Sequence, residues 1–136
     1  MAADFQLTLL TLKSAATVSV AQAGEAISQG SWIYILGTDS KAYLADNTVS
    51  TKLEVVGIAI EAAASGDYVA YVDLRSEAVI GVNETLTTTT TLCLGAAGKT
   101  HYETDLVSTE YLVKLGTANT ANQITIKIDN TELQKP

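Results

Sequence analysis

Apolar and polar residues alternate with a period of two along several short stretches of the chain. Phe5-Gln6-Leu7-Thr8-Leu9 and Thr17-Val18-Ser19-Val20 are two of them, and this period places the apolar side chains on one face of a strand. Turn residues separate such stretches at intervals of roughly ten residues, which is typical of sandwiches and barrels. No sustained helical period is present in the sequence. The pattern predicts an all-β fold, a β-sandwich or a barrel-like domain.

The chain carries this pattern twice. An aspartate precedes a glycine by 11 residues in both copies, first as Asp46 and Gly57 and then as Asp105 and Gly116. The two glycines are 59 residues apart (116 minus 57). A period of this length with two copies is too long and too few for a solenoid, so we interpret it as a duplicated β unit. We place repeat one at about 17–73 and repeat two at about 78–129.

The length of 136 residues fits one domain. We predict a single β domain over 16–136, ending in a frayed tail at 130–136. Residues 1–15 lie outside the duplicated unit and form an extended N-terminal arm or edge strand. An apolar terminal strand of this kind can add to its own sheet or to the sheet of a neighbour.

Charge and hydropathy exclude some partners. The net charge of −7 argues against nucleic-acid binding, because phosphate contacts need clustered Lys and Arg. No apolar stretch is long enough for a transmembrane helix. We therefore expect no secretory leader, no nucleic-acid partner and no membrane partner.

Reactive residues are sparse. His101 is the single histidine and is predicted to be a solvent-facing hairpin residue, and Cys93 is predicted to be a small buried core residue. One histidine and one cysteine do not make a zinc site of the usual kinds, so we expect no metal and no cofactor. The aspartates lie mostly at turns and strand ends, and their spacing selects no catalytic pair. We expect a protein that is not an enzyme, with an acidic-pair hydrolase as the alternative.

Four segments of repeat one form a recognisable string: Ala23–Gly30, Tyr34–Asp46, Val56–Ala59 and Ala62–Val69. This string, within about residues 17–73, resembles the small capsid decoration, or cement, proteins of tailed phages. The second copy departs from the pattern, since residues 117–122 replace the Ala-Ala-Ala-Ser-Gly loop. The resemblance implies a non-enzymatic protein of the virion, made in the host cytoplasm, that binds the outer capsid surface.

The partners that this resemblance implies are the major capsid protein, whose subunits it would bridge, and other copies of the chain. A homotrimer is favoured and a homodimer is the rival. Aromatic and apolar anchors dominate interfaces, so the predicted capsid or subunit interface consists of Phe5, Leu7, Leu9, Trp32 and Tyr34. Trp32 can also be a core residue, and Tyr34 an ordinary half-buried strand residue. The alternative function is a carbohydrate- or receptor-binding β module of a virion fibre or surface protein.

Overall fold

The computed structural model describes residues 4–7, 11–12, 17–74, 78–82 and 85–136. Within these ranges the chain is all-β, as predicted, and its one helical element is a 3₁₀ turn at Glu103–Asp105. The strands are β1 (Thr11–Leu12), β2 (Thr17–Gln22), β3 (Trp32–Ile35), β4 (Ala42–Leu44), β5 (Gly57–Ala59), β6 (Tyr68–Asp73), β7 (Ala78–Gly81), β8 (Thr91–Leu94), β9 (Thr100–Tyr102), β10 (Tyr111–Thr120) and β11 (Gln123–Gln134).

The strands form two antiparallel sheets of a sandwich, and the two sheets have the same order. The five-stranded sheet runs β2-β6-β5-β3-β4, and the six-stranded sheet runs β1-β7-β11-β10-β8-β9. If β1 is set aside, each strand of the second sheet lies five places later in the chain than its counterpart in the first. Each sheet is therefore one copy of the unit, and the predicted fold of two diverged β repeats is confirmed.

The main core lies between the sheets. Alternation along the strands turns Trp32, Ile58 and Val72 of the five-stranded sheet inward, where they join Leu92 and Ile124 of the other sheet. Burial of apolar side chains between two layers is the main favourable contribution to a fold of this size. A buried hydrogen bond also links the two repeats: the Trp32 indole Nε1 donates to Thr100 Oγ1 at 2.7 Å.

The five-stranded sheet carries a second apolar cluster on its outer face. Ile33, Val69 and Tyr71 point away from the main core and are buried there. The cover comes from two connecting segments, in which Ile27 and Ala63 exchange both backbone hydrogen bonds at 2.9 Å. The first copy therefore has a third layer built from its own loops.

The recurring glycines mark a close approach between strands. A Cβ on Gly57 would overlap the carbonyl oxygen of Val72, and one on Gly116 would overlap that of Thr125. Gly57 and Gly116 are therefore both positions of close backbone approach. The same steric requirement explains why glycine recurs at this point of both copies.

The C-terminal segment differs from the prediction. β11 continues to Gln134, and its last residues pair with the start of β10, Gln134 with Tyr111 and Leu133 with Leu112. The prediction of a frayed tail from residue 130 was wrong. Strand pairing satisfies the backbone hydrogen-bonding groups whether or not the side chains are apolar. The register shifts along this hairpin allow the long pairing to follow the twist of the sheet.

Candidate interaction surface

Residues 4–7 lie against the chain's own six-stranded sheet. The Phe5 amide donates to the Thr100 carbonyl at 2.7 Å, and the Thr100 amide donates back at 2.9 Å. Phe5 therefore lies beside β9, outside the edge of that sheet. Leu7 is fully buried in the main core. Its carbonyl would overlap a Cβ on Gly30, which has a φ of +81° that glycine tolerates.

The predicted interface residues converge, but they do so inside the chain. Leu7 and Trp32 have no exposed surface, and Tyr34 is 7% exposed. Phe5 is partly buried, with its ring centroid 5.5 Å from that of Tyr102. Leu9 lies outside the described residues. In this conformation the buried side chains contribute to the chain's own core, so their role in an interface stays a prediction.

Tyr34 illustrates why a strand aromatic is hard to assign from sequence. It faces the main core, and its ring centroid is 5.9 Å from that of Tyr43 on the neighbouring strand. Burial raises the pKa of the Tyr34 hydroxyl, and the carboxylates of Glu25 and Asp39 raise it further. The residue packs as a core side chain whose polar end lies near acidic groups.

His101 is fully buried, so the prediction of a solvent-facing histidine was wrong. Its Nδ1 lies 3.2 Å from Oδ1 of Asp4, in the N-terminal segment. The other carboxylate oxygen, Asp4 Oδ2, accepts from the Ala96 amide at 3.3 Å. The N-terminal segment that buries His101 is distant in sequence, so the local pattern around residue 101 does not predict this burial.

Cys93 is buried, as predicted. Burial raises the pKa of its thiol to about 12, with a smaller contribution from Glu103. A thiol with such a pKa is protonated at neutral pH, and the thiolate is the nucleophilic form. The structure therefore gives Cys93 the role of a small core residue.

Exposed apolar side chains gather where β2 and β6 meet the rim of the sandwich. Val18 is 47% exposed, Val20 is 63% exposed and Tyr68 is 70% exposed. The sequence reveals the alternation of residues 17–20, but it does not reveal that β2 is an edge strand of its sheet. The available signal was that the whole strand, Thr17–Gln22, contains no charge and no proline.

A second feature is a shallow groove of about 520 Å³ on the outer face of the six-stranded sheet. Among the described residues, no aromatic side chain lines it. Its lining consists of hydroxyl, charged and small residues together with one isoleucine: Thr91, Lys114, Gly116, Thr117, Thr125, Lys127, Ile128 and Asp129. The groove is thus the polar, solvent-facing side of a half-buried antiparallel sheet.

No protein-family model matches this chain, and no curated protein matches it significantly. Across the described residues, no helix has the length and apolar character needed to cross a bilayer. In the same part of the chain, His, Cys, Asp and Glu side chains form no group of three or more that could hold a metal ion.

Proposed function

We propose that this chain is a non-enzymatic structural protein of a tailed-phage virion. It binds the outer surface of the capsid and stabilises the shell by bridging major capsid subunits. Its partners are the major capsid protein and further copies of itself, with a homotrimer favoured by the resemblance and a homodimer as the rival. The protein is made in the host cytoplasm and assembles onto the virion.

One observation carries this proposal: two separate parts of the family-like string, 23–30 and 62–69, meet in one layer. Besides the paired Ile27 and Ala63, the Gly66 amide donates to the Ala23 carbonyl at 2.8 Å. Ser65 Oγ also donates to the Gly24 carbonyl at 3.3 Å. Small residues and turn residues that look scattered in sequence thus form one structural feature. This supports the interpretation of repeat one as a unit of the decoration-protein kind.

The scaffold also suits a role that needs contacts rather than chemistry. A capsid under internal pressure is stabilised by many repeated cross-links, and repeated weak contacts gain strength from avidity. A sandwich with a shared core keeps its surfaces in fixed relation to one another. Rigidity of this kind suits a protein that bridges neighbouring subunits.

A quantitative mass-spectrometric inventory of purified virions tests the proposal. We expect the chain at a copy number comparable with that of the major capsid protein. A few copies per virion would place it in a fibre or tail, and absence from virions would refute a role in decoration.

Binding to isolated shells provides a second test. Purified protein is mixed with expanded capsids and, as a control, with unexpanded procapsids, and co-sedimentation is measured. We expect saturable binding to the expanded shell. Failure to bind either shell contradicts the proposal.

The groove on the six-stranded sheet favours a second candidate, a carbohydrate- or receptor-binding module. Hydroxyls of Thr91, Thr117 and Thr125 beside Lys114 offer hydrogen-bond donors and acceptors to a sugar. Binding on a glycan array that a Lys114→Ala variant loses would support this alternative. Absence of glycan binding, together with high virion copy number, would exclude it.

A further inference from the structure

We propose that the outer edge of β2 is a self-docking surface, at which β2 of one copy pairs antiparallel with β2 of a second copy about a two-fold axis. The inference does not rest on the proposed function, because it concerns the purified protein alone. It begins from the position of β2, the terminal strand of the five-stranded sheet.

The backbone of β2 has hydrogen-bonding groups on that edge that find no partner among the described residues. Its pairing with β6 is regular over six residue pairs, with Val20 opposite Ala70. The Ala70 carbonyl accepts a hydrogen bond from the Ile60 amide, on the side of β6 that faces β5. The backbone groups of Ala70 therefore point away from β2, and Ala70 does not form hydrogen bonds with Val20. Antiparallel pairs alternate between bonded and non-bonded. The amides and carbonyls of Val18, Val20 and Gln22 therefore point outward, away from β6.

The same residues expose apolar side chains. Val18 lies opposite Val72, a fully buried core residue, and yet is 47% exposed. Val20 and Tyr68 continue this face further from the core and are 63% and 70% exposed. The inner face of the five-stranded sheet thus extends past the region that the second sheet covers. A strand added at this edge would cover both the backbone groups and the valines.

Two other edges of the sandwich, those of β9 and β4, have cover within the chain. The β9 edge is bonded to Phe5. At the β4 edge, the Ala42 carbonyl accepts from the Gly24 amide at 2.9 Å, and the Leu44 amide donates to the Glu25 carboxylate at 2.9 Å. Within the described residues, no comparable contact closes the outer edge of β2.

The composition of β2 favours a second copy as the occupant. The chain has a net charge of −7, so two copies repel each other over most of their surfaces. β2, with the sequence TVSVAQ, is uncharged. It also lacks the lysines, prolines and bulges by which edge strands of monomeric proteins avoid pairing. Two like-charged copies can therefore approach along this strand without bringing charges together.

A two-fold axis perpendicular to the sheet fits the pattern of β2. About such an axis, even-numbered residues of one β2 lie opposite even-numbered residues of the other. Valines of the two copies therefore meet whether the axis passes Ser19 or Val20. In either register the outward amides and carbonyls form hydrogen bonds across the axis. The result is one continuous ten-stranded sheet with a joined strip of valines.

Sedimentation analysis of the purified chain and two variants tests this interface. We expect a concentration-dependent dimer in place of the homotrimer that the resemblance favours. Val20→Lys brings two like charges to the two-fold axis and should weaken self-association about tenfold or more.

The matched control is Leu133→Lys, because Leu133 is 65% exposed but lies on β11. This control should dimerise as the wild type does. A monomer at all concentrations, a different stoichiometry, or a dimer insensitive to Val20→Lys overturns the proposal.

Hydrogen exchange of the unmodified protein gives an independent measurement if a variant folds poorly. The outward amides of Val18, Val20 and Gln22 should exchange more slowly as protein concentration rises. The inward amides of Ser19 and Ala21 should be protected at every concentration by their bonds to β6. Outward amides whose exchange rates do not change with concentration contradict the pairing.

Discussion

The two sheets share one strand order but differ in what covers them. The five-stranded sheet has its outer face closed by its own loops, while no strand among the described residues pairs with the outer edge of β2. The six-stranded sheet has the reverse arrangement, with a polar outer face and a β9 edge bonded to Phe5. Duplication thus accounts for the strand order and the main core. The connecting and terminal segments decide which surfaces remain available to partners.

Two residues at matched positions show how the copies came to differ. Ile27 follows Glu25 by two residues, as Leu86 follows Glu84. Ile27 is buried in the outer cluster of its sheet, whereas Leu86 is buried in the main core. The Leu86 amide donates to the Ala121 carbonyl. The segment before β3 therefore packs outside its sheet, and the segment before β8 packs inside.

Alanine substitution at these two positions should give the largest contrast. Leu86→Ala leaves a cavity in the shared core and should lower the free energy of unfolding by about 3 kcal/mol. Ile27→Ala should instead open the outer layer locally and speed amide exchange in 23–30 and 60–66, while most other amides keep their protection. Chemical denaturation and hydrogen-exchange mass spectrometry measure these effects.

The control for this pair is Leu133→Ala, at an exposed position, which should change stability by less than about 0.5 kcal/mol. If Ile27→Ala speeds exchange uniformly through both sheets, the outer layer is not a separable unit. The contrast between the copies would then have no consequence for stability.

The glycine pair tests where the copies remain equivalent. Gly57→Ala and Gly116→Ala each force a methyl group against the backbone carbonyl of a neighbouring strand. We expect each to lower the free energy of unfolding by roughly 2–3 kcal/mol, since overpacking displaces backbone. Gly37→Ala is the matched control, because no atom of the described residues lies within 4 Å of its added Cβ. A large difference between the first two variants in thermal or chemical unfolding would show that the close approach matters in one copy alone.

Features with local causes could be predicted from sequence, and features with distant causes could not. The glycine spacing reports a strand approach that both copies share, so the duplicated unit was recognisable from Gly57 and Gly116. Trp32 could not be assigned, because alternation identifies a face but not what covers it. His101 was misplaced because its cover, Asp4, lies far away in sequence. The exposure of Val20 depends on strand order, which no local pattern records.

The hairpin between β3 and β4 and its counterpart between β8 and β9 differ in the source of their carboxylate. In the first, Asp39 belongs to the turn and accepts from the Tyr43 hydroxyl at 2.6 Å and the Lys41 amide at 3.0 Å. In the second, Asp4 reaches the Ala96 amide from the N-terminal segment. The first hairpin is therefore self-contained, and the second depends on the chain terminus.

The smallest predicted effect concerns the titration of the first hairpin. The hydrogen bond from Tyr43 holds the pKa of Asp39 below its usual value, and the same bond raises the pKa of Tyr43. The stabilisation from the lowered carboxyl pKa is present above the usual value of 3.8 and is lost as the pH falls. Tyr43→Phe should raise the Asp39 pKa towards that value, but not fully, because the Lys41 amide still donates.

Carboxyl NMR titration measures this shift, with Tyr68→Phe as the exposed control. An unchanged Asp39 pKa in Tyr43→Phe would show that the hydroxyl bond does not persist in solution, and the first hairpin would then not be held by its own carboxylate.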